Sequence, residues 1–203
     1  MATLTRKPQA QRREEIVQAV LRIIGERGVT ALSTNALADE VGVTSGALFR
    51  HFPSLDAILE GAVTYAVARL DETFPDADLP PLERLTQMAR NRVNLLGDNP
   101  GLAWLLRSEQ AYLTLPAGSL AQLRAVAKRS RKYLLRAISE AAKQGEIRSD
   151  IAPEELLVPI MGTIHALVGM PGVHRSRRKP DTERILQALL KMLAPLKPGQ
   201  KGK

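Results

Sequence analysis

Residues 32–52, LSTNALADEVGVTSGALFRHF, decide how the N-terminal part of this chain folds. Apolar residues from Leu37 to Val41 recur at helical spacing. Ser33 stands just before them, where its hydroxyl can accept a hydrogen bond from a free backbone N–H of the first turn. Gly42 follows the last periodic residue, where a left-handed cap favours a residue without Cβ. The stretch therefore predicts a short helix that begins after Ser33 and ends at Gly42.

A second short helix is predicted directly after this turn. Thr44 can cap a helix from Ser45 to about Phe52, in which Leu48 and Phe52 are the buried positions. Two helices joined by a turn of three or four residues that contains Gly form a helix-turn-helix unit. The second helix of such a unit enters the major groove of DNA with its N-terminal end. The alternative is an ordinary helical hairpin in a core.

The side chains around this turn have the chemistry that DNA requires. A helix N-terminus offers free N–H groups and a partial positive charge to a phosphate, and Gly46 allows a close approach of the backbone. Asn35 can read adenine, and Arg50 can bind guanine or a phosphate. The alternative for His51 is a packing role at the helix end. The candidate DNA-binding residues are Asn35, Thr44, Ser45, Gly46, Phe49, Arg50 and His51.

A wider set of residues carries a family resemblance: Gly28, Ser33, Leu37–Ala38, Gly42–Thr44, Gly46–Phe52, Ser54 and Asp56–Leu59. With them, residues 10–60 resemble the N-terminal domain of the TetR family of bacterial one-component repressors. The resemblance implies an all-α protein. Its helix-turn-helix DNA-binding head of three helices would span residues 1–53, and its helical effector-binding and dimerisation body would span residues 54–203.

Two positions depart from the pattern of that family. Phe49 stands where Tyr is usual, and Leu55 stands where Lys is usual. Both departures remove a contact to a DNA phosphate that the resemblance implies, while His51 matches a phosphate-contacting position. Each lost contact is expected to weaken DNA binding and to lower its dependence on salt.

The remaining sequence predicts further helices and no strands, about nine helices in all. Ser54, Ser119 and Asp181 are predicted to cap three of them, and Pro100 suits the first position of another. Besides the two short helices above, the predicted spans are 10–27, 54–72, 82–96, 100–111, 119–144, 153–170 and 181–193.

Composition excludes several classes of protein. The chain has 203 residues and no cysteine, which removes disulfides, thiolate nucleophiles and Cys-based metal sites. It has no apolar run long enough to span a bilayer, no Gly-rich phosphate loop and no His/Glu metal spacing. We therefore expect a cytoplasmic protein that is not an enzyme and that has no cofactor, metal or membrane partner. The net charge of +8 favours a polyanion as partner, with nucleic acid first.

The last two predicted helices, about 153–170 and 181–194, are apolar over most of their surface. A helix that is apolar all round is buried. The family resemblance implies that two subunits join through these helices as a four-helix bundle, and two-fold dimers are the commonest oligomers. Burial within a single subunit is the alternative.

The resemblance also implies an effector pocket in the body. The candidate lining residues are Met88, Arg92, Trp104, Tyr112, Met161 and His165, for which plain core packing is the alternative. The residues between 124 and 136 include six cations, which either form a solvated face or attract an anionic effector or DNA. They are Arg124, Lys128, Arg129, Arg131, Lys132 and Arg136.

Together these observations predict a homodimeric transcriptional regulator, a repressor by the habit of the family. It would bind a pseudo-palindromic operator with half-sites about one helical turn, ~34–36 Å, apart, and a small-molecule effector of unspecified identity would release it. The alternative is a ligand-independent DNA-binding or architectural protein with a closed helical body.

Overall fold

The chain is all-helical wherever its structure is described. A computed structural model describes residues 8–169 and 178–196. Within these ranges there are ten α-helices, a short 3-10 helix at Val29–Ala31 and no strands. The α-helices are α1 (Gln9–Arg27), α2 (Thr34–Val41), α3 (Ser45–Phe49), α4 (Leu55–Asp71), α5 (Pro81–Asp98), α6 (Pro100–Arg107), α7 (Glu109–Thr114), α8 (Ala117–Lys143), α9 (Pro153–Gly169) and α10 (Arg178–Leu193).

The chain forms two compact units that interleave in sequence. The first unit extends to Arg69 and takes in Asn99–Ala125 as well, whereas the second takes Leu70–Asp98 and resumes at Val126. Packing alone defines these units. The functional boundary expected after residue 53 therefore stays a prediction.

The first unit is built around α1. The apolar face of this helix is fully buried at Ile16, Val20 and Ile23, and α2 and α3 contribute Leu37 and Leu48 to the same core. Helix α1 packs mainly against α6 and α2. The helices that carry the candidate DNA-binding residues are thus supported by a buried hydrophobic core.

The second unit has its own core, formed by α5, α8, α9 and α10. Leu85 and Met88 of α5 lie within it, together with Ile138 of α8 and Leu186 of α10. The α9 residues in this core recur at helical spacing: Leu156, Leu157, Ile160, Ile164 and Leu167.

Four predicted boundaries are wrong. Helix α3 ends at Phe49 rather than at about Phe52. The helix expected over 100–111 breaks at Ser108, whose extended backbone (φ −84°, ψ 126°) separates α6 from α7 and gives ten helices, not nine. Helix α8 begins at Ala117 because Pro116 needs no N–H at a helix start, so Ser119 lies inside the helix, fully buried. Asp181 likewise lies in the first turn of α10 rather than before it.

None of the helices in the described ranges combines the length and hydrophobicity that crossing a membrane requires.

Candidate DNA-binding surface

Helices α2 and α3 are joined by the three-residue turn that the sequence predicts. The Ser33 hydroxyl accepts a hydrogen bond of 3.1 Å from the N–H of Ala36, which caps α2. Gly42 ends that helix in the left-handed region, with φ +71°. The Thr44 hydroxyl then accepts a bond of 3.2 Å from the N–H of Ala47 and caps α3. The predicted caps of both helices are confirmed, and they set the angle of the turn.

A carboxylate on α2 ties this helix to α1. Glu40 accepts from Arg22 at 3.1 Å and from Arg27 at 3.0 Å, with one carboxylate oxygen for each guanidinium. All three side chains are partly exposed, so each ion pair contributes little to stability by itself. Two pairs that share one carboxylate nevertheless restrict how α2 rotates against α1.

The C-terminal end of α3 is held by Arg13 of α1. The guanidinium of Arg13 donates a hydrogen bond to the carbonyl oxygen of His51 and lies 3.9 Å from the centroid of the Phe52 ring. Phe52 itself is buried. Sequence reasoning missed the positioning roles of Arg13 and Glu40, because each contact joins residues far apart in the chain.

Most of the seven candidate DNA-binding residues are accessible. Asn35, Thr44, Gly46, Phe49 and Arg50 are exposed, and Phe49 shows 45% of its surface. Helix α3 has only five residues, so the exposed groups at its start and end are about one and a half turns apart. This spacing lets them reach one stretch of a DNA groove.

Ser45 and His51 are half-buried, and each has a distinct environment. The Ser45 hydroxyl donates a hydrogen bond of 3.1 Å to Oδ1 of Asn35, which brings these two candidates together across the turn. Nδ1 of His51 is buried without a hydrogen-bond partner among the described residues. Both the packing role and the DNA-contacting role of His51 stay predictions.

The candidate effector residues are divided between the two units. In the second unit, Met88 and Arg92 of α5 are buried, Met161 packs against the core and His165 is exposed on α9. In the first unit, Tyr112 is 47% exposed on α7. Trp104 of α6 belongs to the first unit as well, and it lines a surface cleft of about 300 Å³ with residues that include Ile24, Gly25, Pro100 and Arg107. That all six line one pocket stays a prediction.

The basic run on α8 is partly neutralised. Arg129 binds Asp71 at 2.7 Å, and Arg136 binds Glu140 at 2.7 Å. The other four cations of the run are exposed: Arg124, Lys128, Arg131 and Lys132. No group of three or more metal-ligating side chains is close enough to hold a metal ion within residues 8–169 and 178–196.

Comparison with known proteins identifies one family model and several relatives of this chain. The sequence model of bacterial regulatory proteins of the tetR family matches residues 16–62. Nucleoid occlusion factor SlmA of Marinobacter nauticus is 31% identical over 146 residues, which cover 70% of this chain and 72% of that protein. The HTH-type transcriptional repressor KstR2 of Mycolicibacterium smegmatis is 26% identical over 156 residues, 74% of this chain and 75% of its own. For SlmA proteins from Vibrio species, the match spans about half of their length.

A solved structure shares the fold. The structure of AibR in complex with isovaleryl coenzyme A and operator DNA matches 90% of this chain and 97% of its own, with a TM-score of 0.72 and 22% sequence identity. At this level of identity, the likeness shows the fold and leaves the ligand open.

Proposed function

Because this chain belongs to the TetR family of bacterial regulatory proteins, we propose that it is a ligand-responsive transcriptional repressor. It binds a pseudo-palindromic operator as a homodimer and leaves the DNA when a small-molecule effector binds. The observation that carries the proposal is the exposed start of α3 behind the glycine turn, with α2 tied to α1 through Glu40 and the end of α3 held by Arg13 of α1. A reading helix requires such rigid support and free access.

Each exposed residue of this surface has a role in the proposed complex. Thr44 and the backbone at Gly46 bind phosphate, and Arg50 binds guanine or a phosphate. The hydrogen bond from Ser45 uses one lone pair of Oδ1 of Asn35, so Oδ1 can still accept from N6 of an adenine while the amide N–H donates to N7. The Phe49 ring touches a thymine methyl group.

The dimer interface of the proposal is formed by α9 and α10. Val158 of α9 is 67% exposed in the single chain, and Met192 of α10 is 70% exposed. Gly162 lies on α9 one turn after Val158, and a Cβ built there would meet nothing within 4 Å. Exposed apolar side chains beside a small residue allow a second helix to approach closely, which supports burial by a second subunit.

Release by an effector follows from a difference in affinity. The effector binds better to a form of the dimer whose two α3 helices are not spaced to match the operator half-sites, and it thereby lowers the affinity for the operator. The operator lowers the affinity for the effector by the same factor. The binding of both isovaleryl coenzyme A and operator DNA by AibR, a protein of the same fold, supports this arrangement.

The proposal is tested by selecting genomic fragments that bind the purified protein and measuring the affinity of the enriched sequence. We expect a palindromic site that the wild type binds tightly and the Arg50→Ala variant binds at least about tenfold more weakly. Arg131→Ala, which removes an exposed arginine of α8, is the charge-matched control and should bind like the wild type. Equal losses in both variants, or the absence of any enriched sequence at low salt, would contradict specific recognition.

A second candidate function is favoured by the likeness to the nucleoid occlusion factors. In that case the chain binds many chromosomal sites without responding to a ligand. A genome-wide occupancy map distinguishes the two, because a repressor occupies a few promoter sites. Native mass spectrometry of the purified protein adds a second criterion, since a retained small molecule supports the repressor.

A further inference from the structure

Arg92 of α5 is a buried cation without a matching acid. It is only 8% exposed, and no carboxylate lies within ion-pair distance of it among the described residues. One terminal nitrogen donates to the hydroxyl of Ser130 at 3.0 Å, and the guanidinium carbon lies 5.3 Å from the centroid of the Phe74 ring. Its Nε is buried with no acceptor in the described part of the chain. The guanidinium thus has donor capacity that the protein leaves unused.

Arg84, two turns earlier on the same helix, is a buried arginine that does have an acidic partner. Arg84 is 3% exposed and is bonded to the carboxylate of Glu140, although its Nε, like that of Arg92, has no acceptor among the described residues. A buried ion that lacks such a partner is destabilising, and buried charges are therefore normally paired. The contrast indicates that the counter-charge of Arg92 comes from outside the chain.

Asp71, the acid whose charge acts on Arg92, is already bound to another cation. Asp71 accepts two hydrogen bonds from Arg129, at 2.7 and 2.9 Å. Burial lowers the pKa of Arg92 to about 10, while the charge of Asp71 raises this pKa and that of Arg129 lowers it. Arg92 therefore stays protonated at neutral pH. Two guanidinium groups and one carboxylate leave an excess of positive charge there.

We propose that Arg92 anchors an anionic ligand, whose carboxylate or phosphate group accepts hydrogen bonds from Nε and from the terminal nitrogen that now bonds Ser130. The bidentate geometry of a guanidinium suits either group. The proposal rests on the proposed function, because this ligand would be the effector.

The surroundings of Arg92 indicate the rest of the ligand. The Phe74 ring meets the Tyr133 ring edge to face, with centroids 5.2 Å apart, and the Tyr133 hydroxyl donates to the carbonyl of Pro75 at 3.0 Å. This bond satisfies the hydroxyl of Tyr133, and the Phe74 ring is the apolar group beside the guanidinium. A ligand with an acidic head and an apolar part matches these two neighbours.

The test measures thermal unfolding of the full-length protein with three matched ligand series: alkyl carboxylates from acetate to decanoate, monoalkyl phosphates of the same lengths, and the corresponding alcohols. We expect the midpoint of the wild type to rise with the acids or with the phosphates, which separates the two head groups, and to stay constant with the alcohols at low concentration. Arg92→Met should bind the active acid roughly 10- to 100-fold more weakly.

The ligand-free midpoint of Arg92→Met provides a second readout. Replacing an unpaired buried charge by an apolar side chain of similar volume should leave this midpoint unchanged or raise it. Arg131→Met, which removes an exposed arginine, should keep the full response and so exclude diffuse attraction. The proposal is overturned if no acid or phosphate stabilises the wild type, if Arg92→Met responds equally, or if Arg92→Met unfolds at a lower temperature without ligand.

Operator release is measured separately with the active compound. Binding through Arg92 without release would support the anion site and contradict the effector mechanism. Release by a neutral molecule that binds equally to Arg92→Met would support the mechanism and overturn the anion site.

Discussion

Gly101 lies directly against the backbone of Leu21: a Cβ built on Gly101 would be 2.0 Å from the carbonyl oxygen of Leu21. A Cβ on Gly25 would likewise come within 2.7 Å of the amide nitrogen of Gly101. Helices α1 and α6 therefore cross with their backbones in contact. Helix α1 therefore packs against α6 as well as supporting α2 and α3.

Gly101→Ala should lower the free energy of unfolding by about 1–3 kcal/mol, because the added methyl group meets rigid backbone rather than a movable side chain. Gly118→Ala is the matched control. Its Cβ would meet nothing within 4 Å, and alanine favours the helix by up to about 1 kcal/mol. Urea unfolding of both variants measures the difference. Equal stabilities would mean that the helices separate at little cost.

Arg13→Ala should weaken operator binding without changing its salt dependence. The variant loses a charge-assisted hydrogen bond to the His51 carbonyl and a cation–π contact with Phe52. These contacts contribute about 0.5–1.5 kcal/mol at a partly exposed position. Anisotropy titrations over a range of salt measure affinity and slope together. Arg12→Ala, which breaks only an ion pair with Glu15 inside α1, is the control. A reduced slope would instead make Arg13 a phosphate contact.

Phe49→Tyr and Leu55→Lys should each strengthen operator binding, and only the second should change the salt slope. Phe49 is 45% exposed on α3, and Leu55 is the first residue of α4. A new lysine–phosphate contact makes the slope of log affinity against log salt more negative by about 0.9, whereas a neutral hydroxyl releases no counterion. The same titrations measure both effects. Unchanged affinity in both variants would show that these positions lie away from the phosphates.

Local chemistry made the helix-turn-helix predictable. Each of the caps at Ser33, Gly42 and Thr44 bonds to a residue at most four positions away in the chain. Such short-range contacts can be predicted from the local sequence. The break at Ser108 was not predictable, because Ser is compatible with a helix interior and no proline or glycine marks the position.

The supporting contacts depend on long-range packing and could not be predicted. Arg13 and His51 are 38 residues apart in sequence, and Arg22 and Glu40 are 18 apart. The isolation of Arg92 has the same origin. The sequence has many acidic residues and does not show which arginine each one binds. Only the fold shows that Asp71 binds Arg129 rather than Arg92.

Glu140→Gln should destabilise the protein most at neutral pH and least in acid. Hydrogen bonds from Arg136 and then Arg84 hold the pKa of Glu140 below its usual range. A lowered pKa in the folded state stabilises the fold above the ordinary glutamate pKa of about 4.3, and this contribution is lost as the pH falls through the folded value. Unfolding midpoints of the wild type and the variant should therefore converge in acid. Glu154→Gln, at an exposed position of α9, is the control. A constant difference at all pH values would exclude the charge as the cause.

Gly162→Leu should dissociate the proposed dimer while leaving the fold of the subunit intact. Within one chain, a Cβ at Gly162 meets nothing within 4 Å, so the larger side chain has room and favours the helix. In the proposed four-helix bundle, the same side chain would meet a helix of the partner. Gly118→Leu is the matched control, since this second helical glycine also faces open space but lies on α8. Light scattering across a dilution series should show at least a tenfold higher dissociation constant for Gly162→Leu alone. If both variants dimerise like the wild type, this part of α9 lies outside the interface, and the exposed Val158 and Met192 need another partner.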